Sequence, residues 1–322
     1  MTKKKVFVAG HNGMVGRAIC NRLKKQDAIY DLITVDRNEC DLLSQSEVNH
    51  FFKNHEIDHI YLAAAKVGGI NANNTKPAEF IYENLQIQNN VIHCAWMSNI
   101  ERLLFLGSSC IYPRNATQPI KEEYLMSGSL EKTNDAYATA KIAGINMCRS
   151  YNNQYQTDFR SVMPTNLYGP HDNFSLNDSH VIPALIKKFH DSKVNKTDFV
   201  EVWGSGNPMR EFLHVEDLAD ASVFCMNLNR EKFYKLSDDG IEHINIGTGF
   251  DISIKELAEK IREIVGFDGE IKFNSTKPDG TPRKLLDINK LSSLGWTPKY
   301  SLNSGLKQTY TWFHNNIDII RT

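Results

Sequence analysis

The sequence predicts an α/β protein in which a doubly wound parallel sheet carries a smaller C-terminal α/β lobe. Three observations predict it. Short β-prone runs alternate with helix-spaced runs through the first half of the chain, and a glycine-spaced turn joins the first run to the first helix. After Gly169 and Pro170 the alternation loosens, yet no repeat or low-complexity linker intervenes. At 322 residues the chain suits two intimate lobes or one large α/β unit.

Taken in order, Lys4–Ala9 reads as a strand, and residues 14–26 place apolar groups three and four apart, the helical period. Residues 32–35 form the second strand, ending at Asp36; a helix over 44–54 and a strand over 57–65 follow. A long helix spans 76–98, with apolar residues all along one face. Strand four is Arg102–Leu106, a helix covers 135–153, and strand five covers 159–163. This alternation demands parallel strands with helices on both faces. Beyond it, helices are expected over 181–191, 214–228, 253–265 and around 310–315, with strands at 199–204 and 243–249. The expected division is 1–170 for the sheet domain, with segments near 210–250 returning to it, and 171–322 mainly for a substrate lobe.

Composition narrows the classes. A net charge of −1, with no long run of one sign beyond the lysines at 3, 4 and 5, gives no nucleic-acid patch. Residues 6–10 are too short for a signal h-region and enter a glycine turn, and no stretch approaches the ~18–20 apolar residues of a membrane span. A cytoplasmic enzyme is expected. The six cysteines show no C-x-x-C and the eleven histidines no H-E-x-x-H, so neither disulfide nor metal is expected. Cys20, Cys94, Cys148 and Cys225 fall in apolar helical patterns as small core residues. Cys110 stands apart, in "LGSSCIYP" at the mouth of strand four.

Gly10, Gly13 and Gly16 lie between a strand and a helix, the context that gives such a spacing meaning. The first permits a sharp turn, the second lets backbone approach a pyrophosphate at a helix N-terminus, and the third allows close helix–strand packing. Asp36 at the end of strand two suits a ribose 2′-hydroxyl, while the adjacent Arg37 suits a 2′-phosphate. "YATAK" sets Tyr137 and Lys141 four apart, neighbours on one helical face, where an ammonium is expected to lower the tyrosine pKa. Alone, Y-x-x-x-K is a common accident. Behind a dinucleotide turn, with Ser108 at the end of strand four, it resembles the catalytic signature of the short-chain dehydrogenase/reductase superfamily, in its extended branch.

"LAAAKVGGI", "LGSSCIYP", "YATAKIAGI", "MPTNLYGPHDNF", "SHVIPALI", "WGSGNPMREFLHVEDLA" and "KPDGTPRKLLD" together resemble the GDP-L-fucose synthase family over essentially the whole chain. The resemblance implies a Rossmann-type sheet and a 3,5-epimerase/4-reductase acting on GDP-4-keto-6-deoxymannose with NADP(H). It implies Ser108, Tyr137 and Lys141 for reduction, and Cys110 and His180 for the two epimerisations. For the cofactor it implies Asn12, Met14 and Val15 in the glycine turn, then Asp41 and Leu42 at the adenine. Ala63, Ala64, Leu106 and Gly107 at strand ends, with Pro164, Asn166, Leu167 and His180, complete that set. Asn166, Lys188, Trp203, Arg210 and Asp279 are implied at the nucleotide sugar, beside Ser108, Cys110 and His180.

NADPH is expected to be preferred, with NADH tolerated because Asp36 repels a 2′-phosphate and Asn12 stands where relatives carry an arginine. An extended chain from Ser108 to Cys110 would place both side chains on one side. A 4,6-dehydratase would need an acidic pair where Cys110 and Ile111 stand. A reductase of a related keto-sugar such as a deoxyheptose, and a non-catalytic dinucleotide sensor, stay open as alternatives. The resemblance also implies a homodimer through the helices at 76–98 and 135–153, although these suit packing on the sheet equally.

Overall fold

Strands that read as unbroken apolar runs are buried on both faces, and the first half of the chain builds its sheet from such runs. The structure, a computed structural model, describes residues 2–176, 178–235, 243–277 and 279–320. It begins with β1 (Lys4–Ala9), α1 (Met14–Lys24), β2 (Tyr30–Ile33), α2 (Gln45–Asn54) and β3 (His59–Leu62). A short α3 (Ile70–Thr75), the long α4 (Pro77–Met97), β4 (Arg102–Leu106), α5 (Asp135–Tyr155), β5 (Phe159–Pro164) and β6 (Asn166–Tyr168) follow. The second half contributes α6 (Val181–Val194), β7 (Phe199–Trp203), β8 (Met209–His214), α7 (Val215–Asn227), α8 (Arg230–Tyr234) and β9 (His243–Ile246). Last come β10 (Asp251–Ser253), α9 (Ile254–Val265), β11 (Glu270–Asn274), β12 (Arg283–Lys284), α10 (Asn289–Ser293) and α11 (Leu302–Asn315).

Six parallel strands form the main sheet in the order β2-β1-β3-β4-β5-β9. The chain runs outward from β1 to β2, then returns to the other side of β1 as β3. At that reversal the connections leave in opposite directions, opening a crevice at the carboxyl ends of β1 and β3. Ile19, Leu23 and Leu218 from α1 and α7 cover one face. Phe51, Val91 and Ile145 from α2, α4 and α5 cover the other, where α4 and α5 also pack on each other. A third core, around Phe189, Leu257 and Phe313, joins α6, α9 and α11 in the C-terminal lobe. Among the described residues no helix is long and apolar enough to cross a membrane.

Two expectations shift. The second strand lies two residues earlier than its apolar pattern suggests, because β1 pairs Lys4 through Phe7 with Tyr30 through Ile33. Asp36 therefore stands on a turn beyond the sheet. The segment before α7 holds an unexpected strand, β8, which pairs with β6, β10 and β12. It escapes pattern recognition because its third residue is a fully buried glutamate, Glu211.

Glu211 fastens the two lobes. Its carboxylate accepts the backbone N–H groups of Thr248 at 2.6 Å and Gly249 at 2.8 Å, just past β9, and that of Leu286 at 3.0 Å, just past β12. Burial pushes its pKa up, and those N–H groups hold it down. Removing the carboxylate strands three buried donors, at ~1–3 kcal/mol each. Glu211→Ala should therefore lose about 3 kcal/mol or more of stability, read as a lower urea midpoint with an unchanged slope.

Candidate active site

The site assembles along the carboxyl ends of the main strands. Gly10 leaves β1 at φ +85°, and a Cβ there would lie 2.7 Å from the Ala64 backbone; at Gly16 a Cβ would lie 2.1 Å from the Gly10 carbonyl. Only glycine fits either place. Gly13 caps α1 with no side-chain hydrogen bond, and the first turn carries no acidic residue. The N–H groups of Met14, Val15 and Gly16 thus open on the crevice as first-turn donors do, a cradle that suits a pyrophosphate. Ala63 and Ala64 follow β3 on the opposite wall.

Beyond β2, Asp36 accepts the Asn12 amide at 2.5 Å, and His11 Nε2 lies 3.4 Å from the same carboxylate. Arg37 is exposed and turned onto Asp41 at 3.2 Å, while Arg17 donates to the Asn12 carbonyl at 3.0 Å. The Leu42 carbonyl accepts from Asn90, a contact that anchors this rim to α4. Two carboxylates, Asp36 and Asp41, and two guanidinium groups, Arg17 and Arg37, therefore share this end of the crevice. The residues fit a dinucleotide whose ribose is either free or phosphorylated.

At the mouth of β4 the sequence turns sharply. Ser109–Ile111 forms a 3₁₀ turn capped by Ser108, which accepts the Cys110 N–H. The extended geometry expected between Ser108 and Cys110 is thus replaced by a turn. The proximity survives: the Ser108 hydroxyl stands close enough to the Cys110 thiol and the Tyr137 hydroxyl to pull the pKa of each down. Lys141 is buried on α5, donates to the Leu106 carbonyl at 2.8 Å, and stands 5.7 Å from the Tyr137 ring centroid. Gly107 continues the strand between Leu106 and Ser108, hydrogen-bonded to β5.

Desolvation governs these groups. It pushes Tyr137 well above its ordinary value, with only the Ser108 hydrogen bond opposing, so the expected lowering by Lys141 does not dominate. Lys141 itself is pushed down to about 8 by burial, and the Cys110 thiol is pushed up. Lys141 is not among the groups that move Tyr137, whose surroundings are set by burial, Cys110 and Ser108. Tyr137 stays a protonated donor.

His180 caps α6 and faces the open cleft. The loop before α3 sets its approach, since the Gly69 N–H donates to the Asp178 carbonyl at 2.8 Å. Desolvation holds the imidazole below its ordinary value, helped by the ammonium of Lys284. Pro164 ends β5; Asn166 donates to the Glu211 carbonyl at 2.8 Å, and Leu167 packs beside the α1–α7 core.

The remaining predicted residues form a separate group on the C-terminal lobe. Trp203 is 49% exposed, not core, and lies between two cations, with Lys188 5.1 Å and Lys277 5.2 Å from its ring centroid. Lys188 also donates to the Glu201 carbonyl. Asp279 accepts from the Ser205 N–H at 2.7 Å and hydroxyl at 2.8 Å. Arg210 is half-buried on β8, its pKa lowered by burial and raised by Asp279. Sequence reasoning passes over Lys284, Glu131 and Asn134, which line a small cavity with Cys110. Lys284 sits inside the matched "KPDGTPRKLLD" segment, but no spacing ties it to Cys110.

Comparison with known proteins agrees with this geometry. The model of the NAD dependent epimerase/dehydratase family matches residues 6–247, and the chain belongs to that family. It is 54% identical over 321 residues to the GDP-L-fucose synthase of Escherichia coli (strain K12), covering 100% of both chains. The crystal structure of a GDP-6-OMe-4-keto-L-xylo-heptose reductase from C. jejuni superposes with a TM-score of 0.93 at 40% identity, covering 98% of this chain and 99% of that one. A GDP-L-fucose synthetase from Naegleria fowleri bound to NADP superposes at 0.89 with 27% identity, covering 100% and 98%.

The glycine turn yields a paired test. At Gly13 a Cβ would meet only the Gly10 carbonyl, at 3.4 Å, so Gly13→Ala should fold normally. Its methyl group would intrude where the pyrophosphate approaches, and dinucleotide affinity should fall roughly tenfold or more. Gly16→Ala should instead lower the melting temperature. Thermal melts and fluorescence titration with dinucleotide separate the two outcomes.

Proposed function

We propose that this chain converts GDP-4-keto-6-deoxy-D-mannose into GDP-L-fucose, inverting C3 and C5 and then reducing C4 with NADPH. The observation that carries this reading is a single cleft mouth holding two sets of proton-transfer groups. Ser108, Tyr137 and Lys141 suit carbonyl reduction, and the Cys110 thiol stands among them with the His180 imidazole sharing its neighbour Lys284. Full-length likeness to proteins named GDP-L-fucose synthase supports it.

The C4 ketone acidifies the C–H bonds at C3 and C5, because each carbanion is an enolate. Cys110 as thiolate takes the proton from one face, and His180 as imidazolium returns one from the other. Each centre inverts without net gain or loss of protons, and between the two inversions the thiol gives its proton to solvent while the imidazole takes one up. Ser108 then hydrogen-bonds the C4 oxygen while Tyr137 donates its proton to it, with Lys141 beside the tyrosine ring. NADPH, when bound, supplies the hydride to C4. The Gly10–Gly16 turn, Asp36, Arg37, Asp41 and Leu42 would hold its pyrophosphate and adenosine. Arg37 need only leave Asp41 to meet a 2′-phosphate, so NADPH is preferred and NADH tolerated. Ala63, Ala64, Leu106, Gly107, Pro164, Asn166 and Leu167 would line the nicotinamide half, with His180 at its edge.

On the substrate side, the exposed Trp203 face suits a nucleobase, and Lys188 and Arg210 suit the diphosphate. Asp279 keeps the Gly204–Ser205 turn in place beneath them. The domains divide near residue 170, cofactor before and substrate mainly after, and two copies would associate through α4 and α5. A heptose version of the sugar is the second reading, favoured by the 0.93 superposition on the heptose reductase. Product analysis with both keto-sugars decides between them.

Two results test the roles. Tyr137→Phe should cut reduction by ~10²–10⁴-fold while NADPH affinity changes little. In D₂O the wild type should place deuterium at C3 and C5; Cys110→Ser should lose most of that label and reduce the unepimerised ketone instead. Doubly labelled product at the wild-type rate from Cys110→Ser would end the thiol's role. The pH profile follows from the same groups. His180 lies below its ordinary 6.5 and Cys110 above its ordinary 9.0, so thiolate plus imidazolium is a minor form of constant population between the two. Exchange at C3 and C5 should be flat across neutral pH, falling only on limbs outside those values.

A further inference from the structure

The cavity beneath the 3₁₀ turn is lined by Cys110 with Arg114, Glu131 and Lys284. Lys284 comes from β12, a two-residue strand whose backbone is pinned on every side. Its register with β8 sets Lys284 opposite Arg210, and the Met209 N–H donates to the Pro282 carbonyl at 2.9 Å. Immediately after it, the Leu285 N–H donates to Gln118 at 2.8 Å and the Leu286 N–H to Glu211 at 3.0 Å. Glu131 is engaged by Arg114 at 3.2 Å, and among the described residues no carboxylate lies in ion-pair range of Lys284. A lysine rigidly placed, half-buried, beside a second cation and with no carboxylate partner is expensive unless an anion completes it.

We infer that Lys284 is the fixed counter-cation of the Cys110 thiolate, a positioning residue that sets how much of the thiol is ionised for proton abstraction. This rests on the role proposed for Cys110 above. The charged and titratable groups around Cys110 are Tyr137 and Lys141 from α5, Glu131 and Arg114 from the preceding loop, and Lys284 from β12; Arg210 on β8 and His180 at the start of α6 act on Lys284 or share it as neighbour. Burial pushes the thiol up; Lys284 is the strongest influence pulling it back, ahead of the Ser108 hydrogen bond and Lys141. The relation is mutual, since Cys110 is also the main group favouring the charged form of Lys284 against its burial. A base below its pKa gains more in ionised fraction than it loses in basicity when that pKa falls, because nucleophilic and proton-transfer sensitivity to pKa is well under one. Lys284 therefore raises the rate at neutral pH.

The test uses the free protein and its reactivity, not turnover. Iodoacetamide alkylation of Cys110 is followed by peptide mass spectrometry from about pH 6 to about pH 11.5 in the wild type, Lys284→Met and Lys284→Arg. Lys284→Met should move the alkylation midpoint up by about one unit or more, slowing alkylation roughly tenfold near neutral pH. Its rate should converge on the wild type above the midpoint, and Lys284→Arg should restore most of the loss. Deuterium exchange at C3 and C5 should shift with it. An unchanged midpoint, or a loss equal at every pH, overturns the proposal; weaker binding of the GDP-sugar with an unchanged midpoint would make Lys284 a diphosphate contact instead. Because alkylation needs no sugar, failure of the keto-sugar to turn over would count against the proposed function alone and leave the pairing of Lys284 with Cys110 standing.

Discussion

One buried carboxylate organises the meeting of the two lobes. Glu211 is fully enclosed on β8, yet its charge is met by backbone N–H groups from two other segments, one following β9 and one following β12. An enclosed carboxylate without such donors would be neutral or absent. With them it becomes a short, directional tie between the last strand of the main sheet and the small sheet of the C-terminal lobe. Its β8 neighbour Arg210 and the facing Lys284 inherit their places from that tie, and so does the floor of the cleft beneath Cys110. The chemistry at the mouth depends on a structural contact that takes no part in it.

Within the cleft, burial and counter-charge compete, and burial wins at each protein group. It pushes Tyr137 and Cys110 up and pushes Lys141, His180 and Lys284 down. Every one of these groups is thereby moved toward its neutral form. For Tyr137 that is the form a reductase needs, a hydroxyl that still holds its proton. For the base and acid roles proposed for Cys110 and His180 it is the unreactive form, and a small counter-charge would then be worth a large change in rate. One pKa unit is a factor of ten in the ionised fraction.

The main sheet is legible in the sequence because its strands carry short apolar runs, such as those of β1 and β4, and its helices keep the helical period. Strand two is displaced by two residues, since Val35 reads as strand although the ladder with β1 ends at the pair of Phe7 with Ile33. The small sheet is not legible. β8 carries Arg210 and Glu211 in its first half, and β12 is two charged residues long, so neither shows the alternation that marks a half-buried strand. The same reason hides Lys284. Its importance comes from a register between β12 and β8 and from a cavity shared with a residue 174 positions earlier in the numbering. Local spacing carries no trace of either. Trp203, by contrast, is a large ring left exposed, and the two ammonium groups near its face explain why it can stay so.

The turn after Ser108 explains how reduction and epimerisation can share one cleft. Had the chain continued extended, Ser108 and Cys110 would stand two residues apart along a strand, about 6.6 Å from Cα to Cα. The 3₁₀ turn folds that distance back, and the Ser108 hydroxyl then acts on both the thiol and the Tyr137 hydroxyl. A carbonyl oxygen held by Ser108 is thereby set beside the reductive donor. The carbons flanking that carbonyl lie one bond away, which is where a base beside Ser108 is needed. Under the proposed roles, a single fixed hydroxyl would set the geometry of both reactions, and the thiol would be useful because it sits within one short turn of it.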